Sequence, residues 1–397
     1  MDTSELVELL SAEGLRLLDS LPRYESTTDV LRSVSELRKA GHSPTLVAAV
    51  LSQSKLRARA SAKFGPFADR MLFTEAGLEQ ATRLRVAAIH AGRFQSAGLE
   101  RIADLGCGIG ADAMAFAALE LSVTAVELDE VTAAIAAYNL APWPDATVVN
   151  SDAETVDLAG FDGVYLDPAR RTSGHQNTSR LTNPADFSPS LDFAFGLGAR
   201  LPTGIKLGPG IDRDLIPADA EAQWISVDHD VVELGLWFGA VARPGIRRSA
   251  LVIGDHGSAE LVAGADSDDV EVGELGDYLY EPDGAVIRAR LIGALARQLD
   301  ASMLSDGIAY LTSDSAIDTP FASCFRVVET FPYDEKLLKR ELAIREIGRL
   351  EIKKRGVDVD PATLRKRLAP KGDAAATLFV TRVGGRHTAL LAQRVRH

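Results

Sequence analysis

RIADLGCGIGAD, residues 101–112, joins a short apolar run to three glycines at alternate positions and then to an Ala-rich segment. The run predicts a buried strand and the Ala-rich part a helix. Glycine takes positive φ at little cost, and its missing Cβ lets a ligand or a neighbouring helix come close. Gly106, Gly108 and Gly110 follow Asp104, which falls at the carboxyl end of the strand. In an open parallel sheet ligands bind at that end. Gly106, Gly108 and Ala111 also satisfy the looser G-x-G-x-x-G/A dinucleotide pattern, with an acid about 20 residues later. The glycines alone therefore leave two cofactor classes open.

Three further strand ends narrow the choice. LSVTAVELD, residues 121–129, predicts a second strand ending in Glu127, an acid placed to accept hydrogen bonds from both hydroxyls of a ribose. Asn150-Ser151-Asp152 closes a third strand, and Asp152 can accept from an exocyclic amino group such as that of adenine. FDGVYLDPARR, residues 161–171, is a fourth strand ending in Asp167-Pro168-Ala169-Arg170. The four signals lie in order at βαβ intervals. Asp129 reads as the cap of the helix after strand two.

This series resembles the class I methyltransferases that use S-adenosylmethionine, over roughly residues 76–255. The resemblance implies that Asp104, Gly106, Gly108 and Gly110 hold the amino acid part of the cofactor. It implies Glu127 for the ribose, Asp152 for the adenine, and Asp167, Pro168 and Arg170 for the catalytic motif beside the transferred methyl. A phosphate cradle fits less well, because the methyl donor carries no phosphate and Asp104 suits an ammonium better than a pyrophosphate.

Length and composition bound the rest. A chain of 397 residues with 46% apolar content implies two or three domains with ample cores. Cys107 and Cys324 are the only cysteines, so no disulfide framework is expected and a reducing cytoplasm is the simplest setting. The acidic amino terminus lacks the pattern of a secretory signal, and no apolar run reaches membrane-spanning length. The net charge of −13 is unevenly spread. Residues 325–397 hold 17 Lys and Arg against 9 Asp and Glu, so that segment is near +8 and the remainder near −21. A basic module of this kind can supply phosphate contacts that the acidic remainder lacks.

The first 75 residues read as helices. Ser43-Pro44 predicts a cap and first turn before an apolar stripe at Leu46, Val47, Val50 and Leu51. The cations gathered at its end, Lys55, Arg57, Arg59 and Lys63, are read as dipole complements or solvated charges, with RNA contact as the alternative. Residues 73–85 predict one helix into the catalytic core, with Glu79 and Gln80 facing the cofactor. TGIKLGPG, residues 203–210, is a fifth strand with Lys206 near its end, either solvated or a substrate contact. Residues 224–239 and 247–253 supply further strands. Asp228-His229-Asp230 is read as a hairpin turn in preference to a metal site, and no metal is expected. Asp-rich 254–269 marks a boundary or an excursion, residues 278–283 precede one amphipathic helix through Leu299, and Ile308 to Thr312 reads as a strand. Strands and helices then alternate to a closing hairpin over Gly384-Gly385.

With YLDPARR, GIKLGPGID, YLYEPDGAVIRARL, FPYDEKLLKREL and LEIKKRGVDVD in place, the whole chain resembles bacterial methyltransferase-like proteins with a C-terminal THUMP-like domain. The expected fold class is α/β, a Rossmann-like methyltransferase sheet with an N-terminal helical region and a C-terminal α/β module. The expected boundaries are 1–75 for the helical region, 76–255 for the methyltransferase domain, 256–324 for a small ferredoxin-like connector and 325–397 for the THUMP-like domain. The resemblance implies RNA as substrate class and partner. Lys353, Lys354 and Arg355 are the first candidates for phosphate contacts, with a solvated strand face as the alternative.

The fourth motif limits the chemistry. Methyltransferases of exocyclic base amines often carry an aromatic residue after Asn or Asp, Pro and Pro, and this chain has Ala169-Arg170 instead. The missing ring is expected from Tyr165 or from the guanidinium plane of Arg170, with Arg171 also on substrate. Methylation of a pyrimidine carbon needs a cysteine nucleophile, and Cys107 and Cys324 lie wrongly for it. The expected activity is thus methylation of a base nitrogen of tRNA or rRNA. A methyltransferase of small molecules or protein, or a noncatalytic RNA-binding relic, is the alternative.

Overall fold

A computed structural model describes residues 1–22, 34–170, 187–255 and 257–395, with Arg170 described by its backbone. The chain divides into two compact units, residues 1–207 with 236–242, and residues 208–235 with 243–397.

The first unit begins with helices α1 (Thr3–Leu9), α2 (Ala12–Ser20) and α3 (Pro44–Phe64). Ser43 caps α3 and Pro44 opens it, and Leu46, Val47 and Val50 are buried as the stripe predicts. Three of the cations at its end bond to backbone carbonyls or carboxylates of the chain itself. Arg57 donates to the Met71 carbonyl at 3.0 Å and pairs with Asp19 at 3.1 Å, and Arg59 pairs with Glu75 at 2.9 Å. Lys63 donates to the carbonyls of Leu78, Glu79 and Ala81 at 2.8, 2.7 and 2.9 Å. Those carbonyls close α4 (Glu75–Gln80), so the single helix expected over 73–85 is two, the second being α5 (Leu84–Ser96).

The core of this unit is a parallel sheet of β1 (Arg101–Leu105), β2 (Ser122–Glu127), β3 (Ala146–Asn150), β4 (Gly163–Leu166) and β7 (Thr203–Leu207). β5 (Ala169–Arg170) and β6 (Phe187–Ser188) form a separate antiparallel pair. The parallel order is β7–β4–β1–β2–β3. Parallel strands need crossover connections, and α6 (Ala111–Ala118) and α7 (Glu130–Leu140) supply the first two. This is the expected Rossmann-like arrangement, which aligns the carboxyl ends of β1, β2, β3 and β4.

Two side-chain amides fasten the extended segment at Leu72 and Phe73 to the core. Gln53 accepts from the Phe73 amide at 3.0 Å and donates to its carbonyl at 2.7 Å. Asn139 on α7 accepts from the Leu72 amide at 2.8 Å and donates to the carbonyls of Leu72 and Ile109 at 3.0 and 2.9 Å. Among the described residues no strand pairs with this segment, and these amides supply the bonds that a sheet otherwise would.

In the second unit β8 (Glu221–Val227) and β9 (Asp230–Phe238) meet at Asp228 and His229, both at positive φ, the backbone of a tight hairpin turn. β10 (Arg248–Gly254) runs parallel to β8, and β11 (Gly257–Ala263) pairs antiparallel with β10. The Asp-rich stretch thus contributes a strand. In β11 only Leu261 is buried, so its sequence lacks the apolar run of the inner strands.

A seven-stranded sheet follows, ordered β13–β14–β12–β15–β18–β17–β16. Its members are β12 (Tyr278–Pro282), β13 (Ser302–Ser305), β14 (Ile308–Ser313), β15 (Ala322–Pro332), β16 (Ile347–Lys354), β17 (Ala374–Val383) and β18 (Arg386–Arg394). The helix expected through Leu299 breaks at Arg290, φ 59°, into α8 (Gly284–Arg288) and α9 (Ile292–Gln298). β15 crosses the expected 324/325 boundary, pairing with β12 through Ala322–Arg326 and with β18 through Phe325–Pro332. The expected connector and basic module therefore share one sheet. Helices α10 (Glu335–Ile344) and α11 (Pro361–Leu368) bury Leu338, Leu342, Leu364 and Leu368 against Leu350, Leu378 and Leu391. Phe325, Phe379 and Tyr310 belong to a separate apolar cluster.

Asn139→Leu, similar in size, would leave the Leu72 amide and two carbonyls without these partners, at about 1–3 kcal/mol for each group left unsatisfied. The variant should melt at lower temperature and exchange the Leu72 amide faster with deuterium. Unchanged exchange would show that Asn139 does not hold this segment.

Candidate functional site

The turn after β1 is left-handed at all three glycines, with φ 82° at Gly106, 55° at Gly108 and 85° at Gly110. The amides of Gly106 and Cys107 donate to the Val126 carbonyl at 2.9 and 3.0 Å, binding the turn to the end of β2. The Gly108 amide donates to Glu127 Oε2 at 3.0 Å, and the Asp129 amide to Glu127 Oε1 at 2.9 Å. A Cβ on Gly108 would meet nothing within 4 Å, so this glycine faces open space.

That space is a cavity of about 510 Å³ walled by Gly106, Gly108, Glu127, Asp152, Asp167 and Gln80, among others. Glu79 is not in the wall and pairs with Arg59 at 3.6 Å. A carboxylate offers about four acceptor positions, and the two backbone amides use two of those on Glu127. Two remain for vicinal hydroxyls. Asp152 accepts from the Glu154 amide at 3.0 Å, capping a short turn while forming wall. Asp129 caps α7, as expected. An adenosine with its hydroxyls and amino group fits this donor and acceptor set.

Asp104 does not reach the cavity. It is 1% exposed beneath the turn, and neither carboxylate oxygen has a hydrogen-bond partner among the described residues. Burial pushes its carboxyl well above the usual range, and Asp112 and Asp167 add to the shift.

Lys206 is the second displacement from expectation. It is 9% exposed, lies 2.5 Å from Asp167 Oδ2, and donates to the Gln80 carbonyl and Thr82 Oγ1 at 3.1 Å each. Thr82 in turn donates to Asp112 Oδ2 at 2.6 Å. Asp112 Oδ1 is 2.9 Å from His90 Nδ1, and the Tyr165 hydroxyl lies 2.9 Å from the same nitrogen. Burial pushes the Asp112 carboxyl up, but His90, Lys206 and Thr82 outweigh it and hold it below the usual range. Thr82, within the segment 73–85, and Asp112, at the end of the glycine segment, carry no role in the sequence reading, and His90 falls in no motif. Tyr165, 1% exposed, is committed to this network and does not supply the missing ring.

Pro168 is buried beside Asp167, Arg170 has its backbone in β5, and Arg171 lies outside the described residues. Burial raises the thiol of Cys107 well above its ordinary range and raises that of Cys324, so neither is an activated nucleophile. Among the described residues no group of three His, Cys, Asp or Glu side chains can hold a metal ion. In the second unit Lys353 pairs with Glu281 at 2.6 Å and Glu351 at 3.2 Å, and the Arg355 guanidinium lies 5.1 Å from the Tyr310 ring centre. Lys354 is exposed.

A family model described as THUMP domain-like matches residues 322–394, and one described as a domain of unknown function matches residues 2–60. The chain is 32% identical over 341 residues to an uncharacterized S-adenosylmethionine-dependent methyltransferase of Mycobacterium tuberculosis strain H37Rv. The match covers 83% of this chain and 91% of the relative, and the strain CDC 1551 protein matches equally. The chain belongs to the S-adenosylmethionine-dependent methyltransferases. The crystal structure of a protein assigned as a methyltransferase from Porphyromonas gingivalis W83 shares the fold, with TM-score 0.72 and 20% identity over 94% of this chain and 100% of that one. For a methyltransferase of this family the dinucleotide alternative falls away, and its cofactor is S-adenosylmethionine.

In the unfolded methyltransferase Asp104 titrates in the ordinary carboxylate range, and in the fold well above it. Stability from this group is complete below that range and is lost as pH rises through the raised folded value. Asp104→Asn, which mimics the neutral carboxyl, removes that loss. Its melting temperature should gain on the parent as pH rises above the ordinary carboxylate range. A pH-independent difference would show that Asp104 is ionised in the fold.

Proposed function

We propose that this methyltransferase modifies a base nitrogen of RNA, in tRNA or rRNA. The reading is carried by one observation. Asp167-Pro168 ends β4 on the wall of the cavity that the glycine turn opens, with its carboxylate already oriented by Lys206.

S-adenosylmethionine supplies the electrophilic methyl group when bound. In this reading the backbone of Gly106, Gly108 and Gly110 lets its amino acid part approach, Glu127 accepts from the ribose hydroxyls and Asp152 from the adenine amino group. Asp104 lies beneath the turn as a buried carboxyl. Asp167 accepts a hydrogen bond from the target amine and turns its lone pair toward the methyl, so that positioning supplies most of the acceleration. Lys206, buried and bonded to Asp167 and to the Gln80 carbonyl, is a positioning residue and not a substrate contact. Pro168 stiffens the strand end, and Arg170 and Arg171 remain the assigned substrate contacts. RNA as substrate is supported by the THUMP domain-like match and by the excess of cations in the same segment.

Asp167→Ala should reduce methyl transfer to RNA by about a hundredfold or more, the scale of losing one oriented polar group at a reacting centre. Calorimetric affinity for S-adenosylmethionine should stay within about twofold. Transfer surviving at the parent rate would remove Asp167 from the reaction.

A further inference from the structure

Several cations of residues 325–397 are paired with acids of their own unit. Lys353 pairs with Glu281 and Glu351, Arg345 with Glu341 and Glu329, Arg367 with Glu335, and Arg340 with Glu341.

Arg349 on β16, Arg365 on α11 and Arg394 on β18 border one open groove of about 550 Å³. Ala375 and Thr377 line it with small side chains, and Gln393 adds an amide. Each guanidinium is steadied by a neutral acceptor. Arg349 donates to the Asp373 carbonyl at 3.1 Å, Arg365 to the Leu350 carbonyl at 2.7 Å, and Arg394 to Ser323 Oγ at 2.9 Å. Arg394 also lies over the Phe325 ring, 4.7 Å from its centre. A guanidinium has five N–H donors, so a single bond to a neutral acceptor fixes its direction without using its charge. Glu351 is the one acid in the lining. It is already engaged by Lys353 at 3.2 Å and Thr377 at 3.1 Å, and Arg394 approaches it only to 4.0 Å.

We infer that this groove binds the sugar-phosphate backbone of RNA, with Arg349, Arg365 and Arg394 on neighbouring phosphates and Gln393 beside them. The inference rests on the RNA reading above and assigns where that RNA is held. The groove is open along its length and carries excess positive charge, which suits a polyanion lying across it. Its three arginines come from positions 16 and 29 residues apart, so no run of basic sequence marks it.

The test uses the full chain and a fluorescein-labelled single-stranded RNA of about 20 nucleotides, read by anisotropy across a sodium chloride series. The groove variant is Arg349→Gln with Arg365→Gln and Arg394→Gln. The control, Lys336→Gln with Lys339→Gln and Arg340→Gln, removes the same number of cations from exposed positions on α10. Melting curves verify that both fold, and Gln393→Glu, which removes no cation, reads the groove by itself. The groove variant should bind about tenfold more weakly, with a salt slope shallower by about 2, and the control should stay within about threefold. Gln393→Glu should also weaken binding. Equal losses in groove variant and control would reduce the effect to net charge and overturn the site. Undiminished binding by the groove variant or Gln393→Glu would overturn the site and leave the RNA reading standing. Failure of the parent to bind RNA would overturn both.

Discussion

The backbone at Gly106, Gly108 and Gly110 must be left-handed three times within five residues, and the geometry of the candidate site follows from that constraint. A side chain at any of these positions would be strained. The turn lets the Gly106 and Cys107 amides reach the Val126 carbonyl and the Gly108 amide reach Glu127, which fixes the ends of β1 and β2 side by side. Glu127 is thereby held at a set distance from the opening over Gly108. A methyl donor needs both features at once, a backbone it can approach and an oriented carboxylate for its ribose.

Beneath and beside the turn the chain buries an unusual amount of charge. Asp167, Lys206, Thr82, Asp112, His90 and Tyr165 are linked in sequence of contacts, and Asp104 has no hydrogen-bond partner among the described residues. In a low-dielectric interior such a network is rigid when satisfied and costly when broken. It reaches the N-terminal helices through the turn at residues 78–82. Lys63 holds that turn from α3 and Lys206 holds it from β7. Burial, with the charges of Arg83 and Lys206, lowers Lys63 to about 8. Of the helices before the core, α4 is part of the cavity wall, and Lys63 on α3 holds its end.

Much of this was legible in the sequence wherever a backbone requirement restricts residue choice. Three alternating glycines after an apolar run, and acids at successive strand ends, mark β1 to β4 because strand, turn and helix each leave a pattern. Burial of polar side chains leaves none. Lys206 sits in a five-residue strand whose neighbours are also buried, and nothing in TGIKL distinguishes a solvated lysine from one closed over an aspartate. Asp104 stands at a strand end like Glu127, yet its side chain falls below the turn where that of Glu127 falls above. The Lys353-Lys354-Arg355 run looks basic along the chain, but the acids beside Lys353 lie on β12 and two residues away on β16. The connector and the basic module seemed separable because composition changes near residue 325, whereas β15 runs through that point with hydrogen bonds on both sides.

The chemistry then rests on what accepts the methyl group. Mass spectrometry of nucleosides from total RNA of cells with and without this gene measures that directly. Loss of one N-methylated nucleoside, restored when the gene is returned, is the predicted result. Identical nucleoside profiles in the two strains, with the protein demonstrably expressed in one, would contradict methylation of RNA.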